Sequence, residues 1–101
     1  MEQVERIRHM ENILDQTETV LAQVRTALEQ YQELESSLNE LEDYYSNGQW
    51  SVDFQDDSAG KLPPNLKRGV LSEDGVWNML VERDSLLYQM EKIVEHTKNK
   101  S

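Results

Sequence analysis

Between residues 2 and 46 the apolar positions recur at steps of three and four. They run Val4, Ile7, Met10 and Leu14, then Leu21, Val24, Leu28 and Tyr31, then Leu34, Leu38, Leu41 and Tyr45. Steps of this kind line one face of an amphipathic helix. No glycine or proline interrupts the stretch. In heptads, Ile7, Leu14, Leu21 and Leu28 share one seam position, and Met10, Val24, Tyr31, Leu38 and Tyr45 share the other. Thr17 and Glu35 interrupt that seam. Ile13, Val20, Ala27, Leu34 and Leu41 widen the stripe on one side, which suits a bundle helix better than a strict two-stranded coil. Asn47 and Gly48 tolerate left-handed backbone angles and end the helix. Asp15 followed three residues later by Glu18 has the form of a helix cap. A break near residue 16 would give a three-helix bundle, but the lack of Gly and Pro favours one continuous helix.

The pattern changes after Asn47. Trp50, Val52 and Phe54 alternate with polar residues, which suits an extended piece with one buried face. The following residues read as loop, because Pro63 and Pro64 bar helix while Gly60 and Gly69 permit tight turns. Tyr44, Tyr45, Trp50, Phe54 and Trp77 crowd this region, so the connector over 47–71 is expected to be ordered around an aromatic cluster. A second helix is predicted over 72–97. Ser72 caps it, and Glu73 and Asp74 lie at the positive end of its dipole. Gly75 stands where a capping box would place Glu.

The expected fold is therefore all-α: an antiparallel hairpin of one long and one shorter amphipathic helix, joined by an aromatic-rich connector, in a single domain. At 1.5 Å per residue the two helices would measure about 68 Å and about 38 Å. The second helix would then leave the stripe around Val4, Ile7, Met10, Ile13 and Leu14 without a cover. A break near residue 16 would supply one, and so would a second chain; the geometry favours a homodimer.

The segment "LEDYYSNGQWSVDFQDDSAGKLPPNLKRGVLSEDGVWNML" resembles a small bacterial family catalogued as a domain of unknown function. The likeness is sharpest at Tyr44-Tyr45, Trp50, Asp53-Phe54 and "LKRGVLSED". The resemblance implies a helical, intracellular protein and supplies no activity or cofactor.

Charge narrows the choice of function. The net charge is −10, with 11 acids and 3 bases in residues 1–47, 3 of each in 48–71, and 6 acids and 4 bases in 72–101. Such a surface repels phosphate backbones, so direct nucleic-acid binding is not expected, and neither is docking on an anionic membrane. An acidic surface that imitates nucleic acid, and so antagonises a DNA- or RNA-binding protein, is the contrasting reading. The chain contains no cysteine, which removes disulfides, thiolate zinc sites and thiol nucleophiles. No apolar run reaches membrane-spanning length and no secretory apolar region opens the chain, so a cytoplasmic location is expected.

Little here points to chemistry. Asp53, Asp56 and Asp57 lack calcium-loop spacing and a closing Glu. His9 and His96 stand one turn from Glu5 and Lys92, as ordinary helix-surface pairs do, with no further metal ligands nearby. No phosphate-cradling glycine pattern and no nucleophile elbow occurs. Carboxylates such as Glu29 and Glu33 share a helix face by chance in so acidic a chain. No metal, no cofactor and no enzymatic activity are expected. Lys67 and Arg68 are expected to answer Asp53, Asp56 and Asp57 across the loop, with partner docking and anion binding as alternatives. The surfaces offered to a protein partner are the stripe at Ile7, Met10 and Leu14 and the connector at Trp50, Phe54, Lys67 and Arg68. The expected function is that of a small adaptor or regulatory binding protein.

Overall fold

A computed structural model of the chain describes residues 2–100. All regular structure in it is helical. Helix α1 spans Gln3–Ser46, α2 spans Gln49–Ser58, a 3-10 turn occupies Gly69–Leu71, and α3 spans Gly75–Lys100. The described residues divide into two compact units, one running to Leu41 and the other beginning at Glu42. No helix among them is long and apolar enough to cross a membrane.

The first unit is the body of α1, and it runs through residue 16 without a break. The cap suggested by Asp15 does not form. Instead the Thr17 hydroxyl donates to the Ile13 carbonyl at 2.7 Å, and Thr19 donates to that of Asp15 at 3.0 Å. Hydroxyls bonded one turn back share the carbonyl acceptors of the backbone ladder, at a slight cost in stability, without ending the helix. The stripe is in full view: Ile7, Met10 and Leu14 are each at least 50% exposed, and α1 buries no residue anywhere along its length.

The second unit holds what core there is. Leu71, on the 3-10 turn, and Val76, in the first turn of α3, are the buried apolar residues among those described. The turn touches both α2 and α3.

The connector departs from the expectation in one respect. Trp50, Val52 and Phe54 lie on a helix and not on an extended strand. Trp50 and Phe54 are four residues apart, and on a helix that spacing stacks their rings at 5.0 Å between centroids. Two glycines delimit α2. Gly48, at φ +97°, turns the chain out of α1, and the Asn47 side-chain oxygen accepts from the Gln49 amide at 3.0 Å. Gly60, at φ +74°, closes the far end. There Lys61 N donates to Asp56 O and Gly60 N to Asp57 O, each at 3.0 Å. These are the paired bonds of a Schellman ending, which needs a left-handed residue at the position Gly60 fills.

Helix α3 begins at Gly75, three residues later than expected, because Glu73 and Asp74 form a turn in front of it. Ser72 still caps. Its hydroxyl accepts from the Gly75 amide at 3.0 Å and donates to the Gly69 carbonyl at 2.8 Å, clasping the helix start to the 3-10 turn. A Cβ on Gly75 would lie 2.5 Å from Ser72 Oγ and 2.6 Å from Gly69 O. The glycine found where a capping box would carry Glu is thus the residue that admits this close approach.

Candidate functional site

Two surfaces answer to the residues singled out in the sequence. The first is the connector, which lies within the second unit. Trp50 is half-buried and stands at its centre. One face of the indole stacks on Phe54, and Tyr45 meets the ring at 67° with centroids 5.2 Å apart. The indole Nε1 donates to the Val70 carbonyl at 2.7 Å, tying α2 to the 3-10 turn. Beside this cluster the Tyr44 hydroxyl donates to Asp53 Oδ2 at 2.6 Å. That bond, with some burial and the repulsion of a second negative charge, pushes the Tyr44 phenol up to about 12. Trp77 does not join the stack; it is exposed on α3.

Arg68 is engaged on every side. Nη2 donates to the Pro63 carbonyl at 2.8 Å and Nη1 to that of Pro64 at 3.4 Å. Its Nε lies 2.9 Å from Asp57 Oδ1, an ion pair without the alignment of a hydrogen bond. One guanidinium therefore holds the proline loop against α2. Lys67 is exposed and forms no ion pair among the described residues. The expected basic pair is split: Arg68 answers Asp57, Lys61 stands 3.8 Å from Asp56, and Asp53 is taken by Tyr44.

A link that the sequence does not advertise joins Arg83 on α3 to Glu42 in the last turns of α1, with Asp84 on the same guanidinium. Glu42 and then Asp84 push the Arg83 guanidinium further up, so it stays charged. Forty-one residues separate Glu42 from Arg83, and no local pattern pairs them. On α3, Lys92 lies 3.2 Å from Glu95 and over the Tyr88 ring, instead of toward His96. Among the described residues no three His, Cys, Asp or Glu side chains are grouped to hold a metal.

The second surface is the α1 stripe. Val4, Ile7, Met10, Ile13, Leu14, Val20, Leu21, Val24 and Leu28 are all exposed, on more than six helical turns. Contiguous exposed apolar side chains in such number are rare on the surface of a folded monomer.

Residues 7–93 match the family model described as a domain of unknown function, DUF4298. The match covers most of the sequence, and the chain belongs to that family. No curated protein and no solved structure matches it.

Proposed function

We propose that this DUF4298 protein is a non-catalytic protein–protein interaction module that docks through the apolar stripe of α1, in the manner of an adaptor. The observation that carries the reading is a helix of 44 residues with no buried residue and a long row of exposed apolar side chains. Helices in proteins owe most of their stability to packing an amphipathic face, and this face has nothing to pack on within its own unit. Ile7, Met10 and Leu14 are the contact residues at its outer part. The connector plays a supporting role in this reading. Trp50, Phe54 and Arg68 direct their rings and donors inward, which leaves Lys67 as the exposed member of the basic pair. The Glu42–Arg83 pair supports a return of α3 beside the last turns of α1, the turn of the expected hairpin.

The test compares the wild-type protein with an Ile7→Gln/Met10→Gln/Leu14→Gln variant. Self-association is read by sedimentation velocity, and capture of other proteins by pull-down at low and high salt. Association that survives high salt and is lost in the variant supports apolar docking. Wild-type association in the variant would refute it. Binding that collapses with salt in both proteins would favour the acidic decoy, because charge-driven contacts are screened.

A further inference from the structure

We infer that the cover of the α1 stripe is a second copy of α1, running antiparallel over residues 4–34, with Ile7 of one copy against Tyr31 of the other. This rests on the docking reading above and names its partner.

Charge sets the direction. Residues 2–10 carry two acids and two bases, whereas residues 26–41 carry four acids and no base. A parallel pair would lay the two acidic stretches side by side. It would also set Glu35 against Glu35 at a seam position, where like charges face each other in one layer. An antiparallel pair lays Glu29 and Glu33 along the neutral, arginine-bearing start of the other helix and leaves Glu35 and Glu40 beyond the overlap.

The seam sets the register. Placing Ile7 against Tyr31 brings Leu14 against Val24 and Thr17 against Leu21, so every layer holds at least one large apolar residue. The Thr17 hydroxyl is already spent on the Ile13 carbonyl, leaving its methyl group for that contact. Glu35 falls outside the overlap. The flanking positions agree: Glu11 faces Arg25 of the second copy, and symmetry makes this pair twice. Against them stands one like-charge contact, Glu18 with its own copy at the dyad. A parallel pair would gain Arg6 against Glu11 instead, but at the cost of the Glu35 layer and the acidic stretches. The overlap ends before Glu42, whose carboxylate is held by Arg83 in the second unit. Pairing through residues 4–34 therefore leaves that unit's contacts in place.

The chain has no cysteine, so single cysteines report proximity without background. The full-length protein is prepared as Glu18→Cys, Ile7→Cys and Tyr31→Cys, and each is oxidised alone; Ile7→Cys and Tyr31→Cys are also mixed. The expected result is a covalent dimer from Glu18→Cys alone and from the mixture. Ile7→Cys alone should give none, since its two copies would stand about 36 Å apart along the pair. A dimer from Ile7→Cys alone would overturn the antiparallel arrangement while leaving stripe docking intact. A monomer by light scattering, with no cross-link in any preparation, would overturn self-pairing. Stripe docking would then stand or fall on the salt-resistant capture described above. Because cysteine replaces a seam residue at two of these sites, circular dichroism of each variant, with wild-type helicity expected, keeps a missing cross-link from being a folding failure.

Discussion

The Trp50 indole donates to the Val70 carbonyl across twenty residues of sequence, at 2.7 Å. This bond, the Phe54 stack and the Tyr45 edge contact make one side chain the joint between α1, α2 and the 3-10 turn within the second unit. Trp50→Phe keeps a ring and loses the donor. It is expected to lower stability by about 1 kcal/mol, the usual net worth of a hydrogen bond. Trp50→Ala also loses both ring contacts and should cost about 2–3 kcal/mol, at the low end of large-to-small changes because the site is half-exposed. Urea unfolding of the two variants checks the order, and equal losses would contradict it.

Gly75→Ala should destabilise the protein by about 1–3 kcal/mol, as forced overpacking does. Helix propensity alone predicts the opposite sign, a gain of up to about 1 kcal/mol for replacing a helical glycine. The added methyl group would collide with Ser72 Oγ and the Gly69 carbonyl, and the carbonyl is backbone. Gly69→Ala, where a Cβ meets nothing within 4 Å, serves as the control. A stabilised Gly75→Ala protein in thermal unfolding would contradict the clasp.

Tyr44 should titrate near 12, above the ordinary tyrosine value of 10.0, because its proton is held by Asp53. A folded-state pKa raised above the unfolded one gives stability that is fully present below about pH 10 and is lost as pH rises toward 12. Tyr44→Phe should flatten that part of the stability profile. Asp53→Asn should bring the phenol back toward its ordinary range in an ultraviolet absorbance titration. An unchanged Tyr44 titration in Asp53→Asn would contradict the assignment.

The two adjacent cations should behave differently. Arg68→Ala releases two proline carbonyls and an ion pair and is expected to cost about 1–2 kcal/mol, discounted for partial exposure. Lys67→Ala should stay within about 0.5 kcal/mol of wild type, as exposed substitutions do. Chemical unfolding separates them, and equal effects would argue against the latch.

How far these features could be read in advance follows from their range along the chain. The long helix was legible because its apolar steps are periodic over a glycine- and proline-free stretch. The Ser72 cap was legible because it acts on a residue three places away. Helix α2 was not: in a short piece, Trp50, Val52 and Phe54 satisfy a period of two as well as Trp50 and Phe54 satisfy a step of four. The bracketing left-handed glycines, Gly48 and Gly60, were the signal that could have decided it. Charge alone pairs Arg68 with the aspartates, whereas its hold on the Pro63 and Pro64 carbonyls depends on the path of the loop. Glu42 and Arg83 meet only through tertiary structure. The α1 stripe was visible residue by residue in the sequence, as were the charges from which its partner, a second copy, is inferred.

The most direct measurement on that partner is hydrogen exchange of the α1 amides at low and high protein concentration. Pairing of α1 with a second copy predicts protection over residues 7–31 that rises with concentration, because association is governed by mass action. Amides around Trp50 and Leu71 should not change. Protection of α1 that is the same at every concentration would contradict the pairing.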